Sequence, residues 1–213
     1  MVIQNYSPIN YSSWNFEGTG KNIMPLLNSL EKQIWERALP LQDKRNDTGH
    51  AEVATYFALL LNEKVGRNRD IIIPSIILHD IGYDISPEGF REAFLTNSDK
   101  DVQLRIRLEH QVKGGVLAYN LLKEMQFPSD YLTHVLRINL DHDTRFYEPT
   151  PEGEVVQDAD VLWRFTKPQI DAYLLGKSLE EIRAFSNKSL SKLHLSISKD
   201  IAEIELENSL VSL

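Results

Sequence analysis

Residues 70–84 read DIIIPSIILHDIGYD, and their reading decides the fold. The apolar run IIIPSIIL, residues 71–78, is far too short to cross a bilayer and is interrupted by Pro74 and Ser75. It reads as a buried helix that Asp70 can cap, with Pro74 just past the first turn and Gly82 letting the chain leave. Outward from this segment the apolar spacing stays helical. MPLLNSLEKQIWERAL puts Leu26, Leu27, Leu30, Ile34, Trp35 and Leu39 on one broad stripe before Pro40, which predicts a helix over about 24–38. Asp47 or Thr48 can cap a second helix through HAEVATYFALLLNEKV, ending near Gly66. Residues 102–124, 129–141, 152–165, 178–186 and 189–209 also read as helices. Almost no segment alternates with period two, so the expected fold class is all-α, a single-domain helical bundle.

The chain has 213 residues, enough for one domain with a sizeable core. A net charge of -8 and a pI near 5.3 disfavour a protein that works by neutralising a phosphate backbone, so nucleic acid is not an expected partner. Residues 1–22 carry Tyr6, Tyr11, Trp14 and Phe16 among Ser, Asn, Gly and Pro, and read as an extended arm over a helical domain of residues 23–213. The N-terminus has no basic stretch followed by an apolar run, so a cytoplasmic protein is expected. Six His and no Cys exclude disulfides and thiolate metal sites, while an imidazole and carboxylate site stays open.

The sharpest polar feature is His79-Asp80 at the end of the apolar helix. Consecutive helical residues point about 100 degrees apart, so they converge only where the backbone relaxes at a helix end. An isolated His-Asp pair is more often a core histidine beside a capping aspartate, but this pair has company. His50 opens the second helix, with Val53, Ala54 and Phe57 marking the same buried stripe. His110 is followed by Gly114 and Gly115, whose helix cost of roughly 1 kcal/mol each implies close packing or room for a ligand. His142 ends the helix YLTHVLRINLDHD, and Asp160 lies in VVQDADVLWRF. His134 and His194 are assigned no role.

In order and context, His50, LHDIGYD, His110, His142 and DADVL resemble the HD-domain superfamily of metal-dependent phosphohydrolases over residues 45–167. The resemblance implies that His50, His79, Asp80 and Asp160 bind one metal, with Asp80 bridging to a second held by His110 and His142. Asp160 is preferred to Asp158 because the family's Asp stands two residues before Leu, here Leu162. Tyr83 replaces a Lys common in two-metal members, Asp143 a second His, and Val161 an Arg.

Such a centre suits one or two divalent transition metal ions, Fe, Mn, Co, Ni or Zn, which bring the pKa of bound water toward about 7. Asp80 would fix the resulting hydroxide, with Lys113 and Arg145 as phosphate contacts; Lys44, Arg45 and Arg164 are weaker candidates for that role. Glu109 or Asp84 can relay a proton. The expected activity is hydrolysis of a small phosphorylated metabolite or nucleotide, monoester or diester. The alternatives are an HD-type diiron oxygenase and a non-catalytic module whose metal only holds helices together. The Leu-rich segment 167–213 completes the bundle or forms a homodimer face.

Overall fold

The computed structural model describes residues 6–14, 19–42, 49–82, 99–171 and 176–211. Among them there is no strand, and the fold is all-α. Its centre is α3 (Arg69–Leu78), in which every residue from Ile71 to Leu78 is buried. Such a helix must be apolar all round, as its sequence is. Its cap is Asn68 rather than Asp70: the Asn68 side chain accepts from the Asp70 N–H. Pro74 withdraws one N–H, and the buried Ser75 hydroxyl is satisfied by donating to the Ile71 carbonyl at 2.7 Å.

Two helices enclose α3 on its N-terminal side of the chain. The helix expected over 24–38 is shorter, because Asn28 and Glu31 form a reciprocal capping box that starts α1 at Ser29–Ala38. Met24–Leu26 is a separate single turn, and Leu26 stands exposed off the stripe while Leu27, Ile34 and Trp35 are buried. The Arg69 guanidinium forks onto the buried Glu31 carboxylate at 2.7 and 2.8 Å, tying α3 to α1. Helix α2 (His50–Val65) starts after Gly49, whose φ of 95° only glycine adopts easily, and ends at Gly66. Asp47 and Thr48, the expected caps, lie outside the described residues.

The remaining long helices are α4 (Lys100–Glu124), α5 (Ser129–Asn139), α6 (Pro151–Leu162), α7 (Leu179–Leu190) and α8 (Ser196–Leu210). α2 packs on α3 and α6, α3 also on α5 and α6, α4 on α5, and α8 on α6. Three boundaries differ from expectation. α5 stops at Asn139, leaving His142 in the following turn; α6 tightens into a single 3₁₀ turn at Trp163–Phe165; and 189–209 is not one helix. The break there comes from α6, where the Asp158 carboxylate accepts the N–H groups of His194 and Leu195, both at 2.9 Å, just ahead of α8. Apolar periodicity runs through residues 190–197, but a remote carboxylate has claimed the backbone donors.

The first described residues are fastened to α8. Glu205, fully buried, accepts from the Tyr6 and Tyr11 hydroxyls and from the Ile9 N–H. Burial raises its carboxyl pKa despite these three donors. The segment is not uniformly extended, since Tyr11–Ser13 forms one 3₁₀ turn, and Phe16 lies outside the described residues. Glu205→Ala leaves two hydroxyls and one N–H without their buried acceptor. It is expected to lower unfolding free energy by about 2–3 kcal/mol in urea denaturation and to speed proteolytic removal of residues 6–14.

Candidate metal centre

Five elements deliver six side chains to one place. His50 is the first residue of α2, and His79 and Asp80 form the turn that closes α3. His110 projects from the middle of α4, His142 from the turn after α5, and Asp160 from the last turn of α6. The turn at 79–82 can reach α4 because Gly82 lies against Gly114: a Cβ on Gly82 would fall 2.1 Å from the His110 carbonyl oxygen. Gly115 accommodates Leu140 in the same way. Of the paired glycines of α4, Gly114 therefore lets backbone approach closely and Gly115 makes room for the Leu140 side chain.

Asp80 sits between two histidine pairs. Its Oδ2 is 3.3 Å from His79 Nε2 and 3.8 Å from His50 Nδ1, while its Oδ1 is 3.4 Å from His142 Nε2 and 3.7 Å from His110 Nε2. Asp160 Oδ1 lies 3.0 Å from His50 Nε2 and 3.6 Å from His79 Nε2. The groups His50, His79, Asp80 and Asp80, His110, His142 each offer ligand atoms close enough to share one ion. His79, His110 and His142 are almost wholly buried, whereas His50, Asp80 and Asp160 keep 13 to 18% exposure and form the open side.

The ring orientations are set from behind. His79 Nδ1 donates to the Ile76 carbonyl at 2.7 Å and His142 Nδ1 to the Asn139 carbonyl at 2.8 Å, so both Nε2 atoms face the carboxylates. His110 bonds the backbone of Ile106. The His50 ring stacks on Trp163, centroids 5.5 Å apart and planes within 6°. Such a set of fixed nitrogens and carboxylate oxygens fits a divalent transition metal. The His79 Nε2 strengthens the fit, being buried without a well-aligned hydrogen-bond partner.

Burial penalises charge on every group here, yet the carboxylates win. Asp80 is held well below the usual carboxylate range by His79, His142 and His50, and Asp160 likewise by His50 and His79. His79, buried but facing both carboxylates, is raised to about 10. His110, buried and beside His142, is lowered to about 4 and so offers a neutral ring at pH 7.

Several residues that spacing did not single out hold this arrangement. Gln111, next to His110, bridges α4 to the His142 turn: its Nε2 donates to Leu140 O and Thr144 Oγ1, and its Oε1 accepts from the N–H groups of Asp143 and Thr144. Asp141 accepts from the N–H groups of Phe146 and Tyr147. A buried Gln beside a motif histidine carries no periodic signal. Arg145, expected to touch phosphate, is employed otherwise. Its guanidinium donates to the carbonyls of His142, Lys192 and Gln157, and with φ at 53° it fixes the turn that carries His142. Lys113 donates to Glu109 one turn away on α4. His134 is exposed on α5, and His194 pairs with Gln157, so neither joins the centre. Lys44, Arg45, Tyr83 and Asp84 lie outside the described residues.

The family model for the HD domain matches residues 49–164, more than half of the chain. The chain belongs to the HD-domain family. The fold is also similar to the crystal structure of a "predicted HD superfamily hydrolase" from an uncultured Thermotogales bacterium, with a TM-score of 0.56 and 18% identity over 90% of this chain and 93% of that one. Among curated proteins none matches.

The close contact at Gly82 gives a direct test of how the HD turn is held. Gly82→Ala must push the turn away from α4. It is expected to cost roughly 1–3 kcal/mol in chemical denaturation and to reduce transition metal retained on purification, measured by elemental analysis.

Proposed function

We propose that this HD-domain protein is a metal-dependent hydrolase that acts on phosphate esters of small metabolites or nucleotides. One observation carries the reading: a single carboxylate, Asp80, turns one oxygen toward His50 and His79 and the other toward His110 and His142. His50, His79, Asp80 and Asp160 would hold one ion, and Asp80, His110 and His142 a second. Ions held there supply Lewis acidity, acidifying a water and drawing electron density from a phosphoryl oxygen.

The chain's own groups do the rest. The Ile76 and Asn139 carbonyls keep His79 and His142 in the tautomer that presents Nε2. Asp80 and Asp160 remain ionised and partly exposed, so a substrate approaches from their side. Lys113 is the proposed phosphate contact, released from Glu109 when the phosphate takes the carboxylate's place, and Glu109 would then accept a proton from the attacking water and pass it to the leaving group. Arg145 serves as a positioning residue for His142. No described helix is long and apolar enough to cross a membrane, and we read the protein as cytoplasmic, with residues 1–22 an arm on the catalytic domain of residues 23–213.

The experiment is metal analysis of the purified protein, followed by phosphatase and phosphodiesterase assays with Mn, Co, Ni, Zn, Mg and Fe added in turn. Phosphate or nucleoside release is expected, abolished by chelation, restored by a transition metal and lowered at least a thousandfold in Asp80→Ala. Undiminished release by Asp80→Ala overturns the site. O2 consumption by the iron form without ester hydrolysis overturns the reaction in favour of an oxygenase. His79 must surrender its proton to a metal, so metal uptake at pH 7 releases protons, and apparent affinity falls as pH is lowered. Titration in weak buffer with a pH electrode measures it.

A further inference from the structure

In a chain of net charge -8, four cations from separate segments lie near enough to couple electrostatically, and one of them, Arg145, also couples to Asp160 of the metal centre. Arg107 comes from α4, Arg145 from the turn after His142, Arg164 from the turn following α6, and Lys192 from the link between α7 and α8. Arg145 bonds both the Lys192 and His142 carbonyls, which ties the backbone at Lys192 to the turn that carries His142. Arg164 stands one helical turn beyond Asp160.

The carboxylates that act on Arg145 are Asp160, Asp158 and Asp143. Asp143 lies 3.6 Å from Arg107 Nε. Asp158 accepts the N–H groups ahead of α8, and Asp160 faces His50 and His79. Among the described residues neither the Arg164 guanidinium nor the Lys192 ammonium has an ion-pair partner. Lys192 is half-buried, and burial together with Arg164, Arg107 and Arg145 lowers its pKa to about 8. Like charges held together at partial burial are offset by a bound anion. Three of the five Arg145 N–H donors are committed to carbonyls, so it contributes chiefly charge, while Arg164 and Lys192 have donors to give.

We propose that Arg164 and Lys192, with Arg107 beside them, form a second oxyanion subsite next to the metal centre, so that the substrate carries a second phosphate or carboxylate besides the ester that is cleaved. The substrate clause rests on the hydrolase reading above; the anion site itself does not.

Calorimetric titration of the full chain with inorganic phosphate tests the subsite. Wild type and Asp80→Ala are both expected to bind phosphate there, with affinity falling about tenfold in an Arg164→Met/Lys192→Met double variant and weakening as NaCl rises. Lys192→Met should melt higher than wild type without phosphate and gain less from adding it; it carries the test alone if the double variant does not fold. In kinetics, KM of the double variant should rise about tenfold more for a substrate with a second phosphate or carboxylate than for p-nitrophenyl phosphate. Equal phosphate affinity in wild type and double variant overturns the subsite and leaves the hydrolase reading standing. Lost phosphate binding in a protein that cleaves no phosphate ester upholds the subsite and overturns the hydrolase reading. An equal KM change for both substrate types overturns the substrate clause.

Discussion

The Asp80 carboxylate, with one oxygen against each of two histidine pairs, is the interaction on which the rest of the structure depends. Burying charge in a helical core is costly unless it is matched by partners of fixed position. Four imidazoles and a second carboxylate provide the match, and their segments must all end or bend within a few ångströms of one point. That requirement explains why α3 stops at Leu78, why α5 stops at Asn139, and why glycine faces glycine where the HD turn meets α4.

Around this cluster the polar side chains work chiefly on backbone. Gln111 and Arg145 hold the His142 turn, Asp158 prepares the start of α8, and Glu205 in turn fastens the first described residues. Each satisfies N–H or carbonyl groups that irregular segments would otherwise leave unpaired. The two aspartates of the DAD string illustrate the division. Asp158 and Asp160, two residues apart on α6, point in directions about 200 degrees apart, so one faces the link before α8 while the other faces the histidines.

The helices and their apolar faces were legible because burial imposes a period on the sequence, and α2, α3 and α4 were readable for that reason. Errors fell where a side chain from elsewhere claims a helix end. Asn28 and Glu31 delay α1, and Asp158 breaks the segment after α7, although the apolar pattern continues across both places. Arg145 shows the same limit at the site. Three residues past His142 it reads as a phosphate contact, but its carbonyl partners come from three different parts of the chain.

By itself the sequence determined the all-α fold and the chemical character of the candidate centre, since residue type alone decides that nitrogen and oxygen, never thiolate, are available. It also marked the order of the six side chains that meet. The tertiary structure alone decided which oxygen of Asp80 faces which histidine, which nitrogen each ring presents, and which cations remain without a carboxylate. Those properties depend on distances between segments far apart in the chain, and a distance of 3 to 4 Å between helices leaves no periodic trace in either of them.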